Sequence, residues 1–539
     1  MRTDYKRISL FFAGALSGTI GGIIEARAGN NNTGAEKKPN IVFFLTDDMS
    51  WMDAACYGSA LYETPNIDKL ARDGMMFTNA YAACHVSSPT RASLMTGRYP
   101  ASVGITDYLP GRRNNSACRF LNQPNQQFLN KDETTIAQVL RNNGYRTALV
   151  GKWHLGEAPY GPTAYGFDES IPSDWYACCT PSFHPPFRIP DYDGEPGEYL
   201  TDVLTRDALK FIERNKDNPF FLYMSHFAPH DPIQGRKDLV DKYKRKIASM
   251  PSPKGEPYIL EGNPDDEKPL SRRQLDSLLQ TPEFKDKYKA LPHRTVKIKQ
   301  HQDNAEFAAM IEAIDESLGA IRKKLEELGI ADNTIIIFMS DNGGMSAANF
   351  YNPNRVIPES ELDAAFASSN LPLRGAKGWL YEGGIRVPMV VYHPGVSKGG
   401  QKCDVQVISN DFFPTIVEMT SSTMPQGKIC EGVSLMPLIN GKKKLPERAL
   451  YWHFPHYSNH GLQSPAGAIR FGDYKLIEYF ENKTVQLFNL KKDIGELNDL
   501  AASNPKKVKE LRDMLHSWQA SIGFESLKQN PDYVLFENK

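Results

Sequence analysis

Several things this chain of 539 residues does not have narrow its identity first. It has no excess of charge: 63 Lys and Arg stand against 64 Asp and Glu, a formal net charge of −1. That balance excludes binding of nucleic acid through a global basic field, and leaves room only for a local basic pocket. Cysteine is scarce and odd in number, at seven. None of Cys56, Cys84, Cys118, Cys403 and Cys430 has zinc-ligand spacing, Cys178 and Cys179 are adjacent, and at least one thiol is unpaired within a monomer. There is no internal repeat and no low-complexity tract. Beyond the N-terminus no apolar run reaches membrane-spanning length. With 40% hydrophobic and 11% aromatic residues the composition is that of a globular protein, and the length suggests one large domain and a smaller one.

What is present begins with a leader. Arg2, Lys6 and Arg7 precede an uncharged, mostly apolar run from Ile8 to Ile24, and Ala26-Arg27-Ala28 follows as an A-x-A-like site. That order reads as a secretory signal peptide over residues 1–28. The run holds Gly14, Gly18, Gly21 and Gly22 and no Cys, so the expectation is an exported protein with neither a stable membrane anchor nor a lipid anchor.

Four apolar runs then end on chemically capable residues. Ile41–Leu45 leads into Thr46-Asp47-Asp48, and Thr147–Val150 into Gly151-Lys152-Trp153-His154. Phe220–Met224 leads into Ser225-His226-Phe227-Ala228-Pro229-His230, and Thr334–Met339 into Ser340-Asp341-Asn342. Continuous runs of this kind suit strands buried on both faces of a parallel sheet. Helical patterns at Thr134–Asn143, Leu200–Asn215 and Ala305–Leu328 alternate with them, which predicts an open α/β fold. In such sheets ligands bind at the carboxyl ends of the strands, so the four runs converge on one site. The large domain is expected over residues 38–440, with a charged, Pro-containing surface insertion at about 231–303. Residues 441–539 read as a small α+β domain of short strands, at Ala468–Phe471, Tyr474–Tyr479 and Val485–Leu490, closed by a helix over Pro505–Ile522.

Adjacent carboxylates at a strand end repel each other unless a cation sits between them. Asp47, Asp48, Asp341 and Asn342 form an all-oxygen set that suits Ca²⁺ or Mg²⁺ rather than zinc. Taken singly, each pair also fits a helix cap or a turn. Lys152 and His154, two residues apart in an extended segment, project to one side and offer two donors to an oxyanion.

The most specific segment runs Ser87-Ser88-Pro89-Thr90-Arg91-Ala92-Ser93-Leu94-Met95-Thr96-Gly97-Arg98. A strand-to-helix turn with Pro89 in the first helical turn accounts for part of it, but not for Arg91 or the Thr-Gly-Arg tail. It resembles the signature of the type I sulfatases, Cys/Ser-x-Pro-Ser/Thr-Arg with a Leu-x-Thr-Gly-Arg-like tail. Cys84 stands three residues too early to fill the first position, which is Ser87.

The resemblance implies an alkaline-phosphatase-like α/β fold, a large mostly parallel sheet sandwiched by helices with a smaller C-terminal α+β domain. It implies hydrolysis of sulfate esters by formylglycine made from Ser87. Asp47, Asp48, Asp341 and Asn342, with the modified Ser87, would hold one divalent ion, Ca²⁺ in the first place and Mg²⁺ in the second. Lys152 and Lys377, the latter in Leu-Arg-Gly-Ala-Lys-Gly-Trp, are implied sulfate contacts. His154 is implied in the proton transfer that releases sulfate, and His230 in sulfate contact and protonation of the departing alcohol. Arg91 is expected within reach of residue 87, lowering the pKa of the nucleophile. His226 is expected to be structural. Serine in place of cysteine implies a serine-oxidising maturase as partner and, with the leader, a bacterial periplasmic or secreted enzyme.

A sulfated glycan (glycosaminoglycan, mucin-type or algal) is the implied substrate, with His453, His456, Tyr457, His460 and Arg112-Arg113 as candidate saccharide contacts. Two other readings remain open in the sequence. One is a phosphomonoester or phosphodiester hydrolase of the alkaline phosphatase superfamily using unmodified Ser87. The other is an inactive glycan-binding homologue.

Overall fold

Eight strands assemble around the four apolar runs in a computed structural model that describes residues 37–116, 118–174, 179–282, 287–289, 295–348, 356–358 and 362–534. The leader over residues 1–28 lies outside the described residues. The strands are β1 (Asn40–Thr46), β2 (Met75–Phe77), β3 (Arg146–Gly151), β4 (Glu169–Ile171), β5 (Phe220–Ser225), β6 (Thr334–Ser340), β7 (Met389–Tyr392) and β8 (Gln401–Cys403). Their order across the sheet is β8-β2-β7-β6-β1-β5-β3-β4. All pairings are parallel except those of β7, which runs against both neighbours.

Both faces of the sheet are covered, which is why the central runs show no polar alternation. Val42 and Phe44 face one core, while Ile41, Phe43 and Leu45 face the other. The first core is closed by α1 (Pro65–Asp73), α4 (Leu200–Arg214), α5 (Lys237–Ser249) and α6 (Ala305–Glu327). The second is closed by α2 (Ser87–Thr96), α3 (Ile136–Asn142) and α7 (Phe412–Met419). Among the described residues no helix is long and apolar enough to cross a membrane.

The stretch expected as a surface insertion is more ordered than its composition suggests. Leu239, Val240 and Tyr243 put one face of α5 into the first core, and Tyr258–Glu261 pairs antiparallel with Val296–Lys299. Four C-terminal strands, β9 (Leu450–Phe454), β10 (Ala466–Phe471), β11 (Tyr474–Tyr479) and β12 (Val485–Asn489), form an antiparallel sheet in that order. Helix α8 (Pro505–Ser521) covers its outer face with Leu511 and Leu515. Its inner face shares a core with Tyr81, Trp379, Tyr381 and Ile385, so the described residues from 38 to 534 fold as one unit.

Register sets the site. Thr46 lies opposite Ser340, Leu45 opposite Ser225, and Ser225 opposite Gly151. The residues that follow therefore leave the sheet level with one another, and Asp341 N–H donates to Thr46 O at 3.1 Å and Lys152 N–H to Ser225 O at 2.7 Å.

Candidate active site

At that edge, all the candidate catalytic, sulfate-contact and metal-site residues except His154 join one chain of direct contacts. The Ser87 hydroxyl, at the start of α2, donates to Asp341 Oδ2 and lies 3.4 Å from Asp47 Oδ1. Arg91, one helical turn on, donates from Nε to Ser87 Oγ at 2.9 Å and to Asp341 Oδ2 at 3.0 Å. Its other nitrogens reach Ser225 Oγ at 2.6 Å, the Lys152 carbonyl at 3.0 Å and Asp341 at 2.8 Å. Lys152 Nζ lies 2.7 Å from Asp47 Oδ2, and Lys377 Nζ 2.6 Å from Asp48 Oδ2. Asn342 Nδ2 donates to Asp48 Oδ1 at 2.7 Å, and Asp48 N–H donates to Asp341 Oδ1 at 3.2 Å. His230 Nε2 stands 3.5 Å from Asp48 Oδ2. All of these side chains are buried. Asp48 takes a left-handed φ of 70°, a conformation that costs free energy and that the surrounding contacts maintain.

The two histidines are held in different ways. His154 Nε2 is 3.0 Å from the Leu109 carbonyl, which can only accept, so Nε2 carries the proton. Nδ1 is then a free lone pair, buried with no hydrogen-bond partner among the described residues. Burial, with Lys152 beside it, pushes the His154 imidazole down to about 3 and keeps it neutral. His230 Nδ1 meets two acceptors, the Asp231 carbonyl at 2.8 Å and Asp231 Oδ1 at 2.5 Å. Burial disfavours its charge, but Cys179, Asp48 and Asp231 together outweigh that and hold the imidazolium well above the ordinary range. Burial also works against the Asp47 carboxylate, and Lys152, His230 and Arg91 hold it below its usual value nonetheless.

Three carboxylates here face three permanent cations. The oxygens of Asp47 and Asp48 and a nitrogen of His230 lie within 4.8 Å of one another, a spacing that can hold a metal ion. Asn342 Oδ1 is buried with no hydrogen-bond partner among the described residues. An orphaned carbonyl oxygen beside three carboxylates fits a hard divalent ion. A dication there would turn the charge of the site positive, as an anionic ester requires. His230 Nδ1 is taken up by Asp231, so only its Nε2 faces the carboxylates.

Four contributors were not legible as site residues: Ser225, which holds Arg91, Asp231 and Cys179, which face the two ring nitrogens of His230, and the Leu109 carbonyl, which orients His154. Asp231 directly follows His230 and was open to notice, whereas a backbone carbonyl leaves no sequence signal. His226 turns away from the site to Ser317 Oγ of α6 at 3.0 Å. Cys84 is buried, its N–H on Thr90 Oγ1. None of the six described cysteines forms a disulfide with another, and Cys178 lies outside the described residues.

The loop that supplies Leu109 is itself anchored by a buried acid. Burial raises the Asp107 carboxyl to about 7, against the N–H groups of Arg112 and Tyr108 that it accepts. An acid whose folded value is raised binds its proton more tightly when folded, so its contribution declines as pH rises through the two values. Asp107→Asn should therefore gain on the wild type from about pH 4 to pH 8, read as the difference of denaturation midpoints. A constant difference would mean that folding does not raise the Asp107 carboxyl.

Comparison with known proteins agrees with this arrangement of fold and site. The Sulfatase family model matches residues 39–422, and the model for the C-terminal part of N-sulphoglucosamine sulphohydrolase matches residues 376–521. The chain belongs to the sulfatase family and is a sulfuric ester hydrolase. It is 28% identical to an N-acetylglucosamine-6-O-sulfatase of Bacteroides thetaiotaomicron over 90% of this chain and 86% of that one. It is also 28% identical to the N-acetylgalactosamine-6-sulfatase of Homo sapiens, over 79% and 70% respectively. A crystal structure of Ps i-CgsB in complex with k-i-k-neocarrahexaose superposes with a TM-score of 0.66 at 26% identity, covering 89% of this chain and 93% of that one.

Proposed function

We propose that this sulfatase removes O-sulfate from a sulfated carbohydrate in the periplasm, with Ser87 converted to formylglycine by a serine-oxidising maturase. We further propose that Asp47, Asp48, Asp341 and Asn342, with residue 87, hold one divalent ion, Ca²⁺ before Mg²⁺. The observation that carries the reading is the Ser87 hydroxyl lodged between Asp341, Asp47 and Arg91 at the carboxyl edge of the sheet. The carbohydrate part rests on the sugar sulfatases among its relatives.

When bound, the ion polarises sulfate oxygens as a Lewis acid, and hydrated formylglycine offers two hydroxyls on one carbon, one a nucleophile and one through which sulfate is released. The chain's own groups do the rest. The Arg91 guanidinium, 2.9 Å from the residue 87 oxygen, stabilises negative charge on the nucleophile. Lys152 pairs with Asp47 and Lys377 with Asp48, where their ammonium groups can take up charge on the transferring sulfate. The unpaired, buried lone pair of His154 Nδ1 suits a base, and the protonated Nε2 of His230 suits an acid for the departing oxygen.

A general acid matters most where the leaving group is a poor one. His230→Ala should cut kcat/KM for sugar sulfates about 10²-fold more than for an activated aryl sulfate. Equal losses on both would remove His230 from that role. The modification is tested by peptide mass spectrometry across Asp73–Arg91 of protein co-expressed with a serine-oxidising maturase. A loss of two hydrogens at Ser87 is expected, whereas intact serine in fully active material would replace this mechanism with direct attack by serine.

A further inference from the structure

Three histidines and a tyrosine on β9 and in the loop after it were equal candidates by sequence, and packing separates them. His453 Nδ1 takes the amide of Gln519 at 3.3 Å, with the rings of Phe480 and Phe524 against it. His456 Nε2 pairs with Thr106 Oγ1 at 2.8 Å, and the Tyr457 hydroxyl donates to Glu481 Oε1 at 2.8 Å. Arg112 is used to hold the loop, donating to the Ser458 carbonyl at 2.7 Å.

His460 is different. It is 6% exposed, and neither ring nitrogen has a hydrogen-bond partner among the described residues. A buried imidazole with two unsatisfied nitrogens is a cost to the fold that nothing around it repays. Its place is fixed all the same. Gly378, next to Lys377, takes φ +87°, and a side-chain carbon there would collide with the His460 carbonyl and Cβ. Gly461, at φ +63°, lets the chain lie directly on the Trp379 indole. These two reciprocal close approaches, each possible only for glycine, clamp His460 onto the segment that carries Lys377. The Gly378 N–H is held from its other side by the His85 carbonyl at 3.1 Å. His460 thus stands within electrostatic reach of Lys377, of Asp231 and of His230, the group proposed above as the acid for the departing oxygen.

We propose that the His460 imidazole hydrogen-bonds an uncharged hydroxyl on the alcohol side of the scissile ester, and so is a specificity-determining contact of this enzyme. The inference rests on the sulfatase reading above and adds the chemistry of the group next to the ester. Burial, with Lys377 close by, holds the ring well below its ordinary value, hence neutral, with one donor and one acceptor. A hydroxyl complements that pair, since it both accepts and donates. A second sulfate or a carboxylate offers acceptors only and would leave the ring's own acceptor unsatisfied. The group recognised is therefore a neutral polyol rather than a further acidic group.

The test compares matured wild type, His460→Ala and His460→Gln. The probes are 4-nitrophenyl sulfate, which carries no hydroxyl, and a panel of monosaccharide sulfates: N-acetylglucosamine 6-sulfate, N-acetylgalactosamine 6-sulfate and galactose 6-sulfate. On the best sugar substrate, kcat/KM of His460→Ala should fall by about 10–100-fold more than on 4-nitrophenyl sulfate. His460→Gln, which also offers a donor and an acceptor, should recover part of that difference. Equal losses on both probe classes, or no recovery by glutamine in a variant that melts like wild type, would overturn the inference and leave the sulfatase reading in place. Turnover of 4-nitrophenyl sulfate by wild type with none of the sugars would do the same. No turnover of either probe by protein carrying formylglycine at position 87 would overturn both.

Discussion

Ser87→Ala should abolish turnover, lowering kcat/KM by about four to six orders of magnitude, the scale on which removing a covalent nucleophile acts. The fold should survive. Alanine is at home in a helix, and the hydroxyl makes two strong contacts, donating to Asp341 and accepting from Arg91 Nε. Arg91 keeps its bonds to Asp341, Ser225 Oγ and the Lys152 carbonyl without it. The two lost buried hydrogen bonds cost about 1 kcal/mol each. Activity and stability should therefore separate: near-zero turnover of a sulfate ester beside a denaturation midpoint close to wild type. The four carboxylate and amide side chains remain in place, so calcium should still protect the variant against unfolding. Turnover near the wild-type rate would end the assignment of residue 87 as nucleophile. The buried Cys84, three residues upstream, offers no substitute, because burial raises its thiol and keeps it protonated.

What the sequence disclosed follows from how each signal arises. Strands β1, β5 and β6 were legible because burial on both faces leaves unbroken apolar runs, and the polar residues at their ends named the edge of the site. The reversed strand β7 was not, since Met389–Tyr392 is four residues long and nothing local encodes its direction. Helix α5 was lost among lysines and acids because its buried face consists chiefly of Leu239, Val240 and Tyr243. Within the site, Asp47, Asp48, Ser87, Arg91, Asp341 and Asn342 came from motif and strand position. The roles of Ser225 and of the Leu109 carbonyl came only from the packing, as did the separation of His460 from His453 and His456. Those depend on side-chain direction and on distant segments meeting, which no spacing rule contains.

Lys475→Met should destabilise the protein by about 3–5 kcal/mol, the cost of removing one partner from a buried ion cluster. The Lys475 ammonium lies 2.9 Å from Glu382 Oε1 and 2.9 Å from Glu496 Oε1, and all three side chains are sealed from solvent. Glu382 Oε2 is also held by Arg386 Nε at 2.7 Å and by the Tyr81 hydroxyl at 2.8 Å. The cluster thus ties β11 to the strand that precedes the Ser87 segment and to the loop that follows Lys377. Burial raises the Glu496 carboxyl to about 7 even with Lys475 opposing it. Without the ammonium it rises further, so the folded variant binds a proton that its unfolded chain releases near the ordinary glutamate value. A raised acid of this kind contributes most at low pH and least above its folded value. The loss in Lys475→Met should accordingly be larger at about pH 8 than at about pH 5, and Lys475→Arg should restore part of it. Urea midpoints of the three proteins at the two pH values decide the matter. A loss under about 1 kcal/mol, or a gap that widens as pH falls, would show that the cluster is not what joins the C-terminal sheet to the loops of the site.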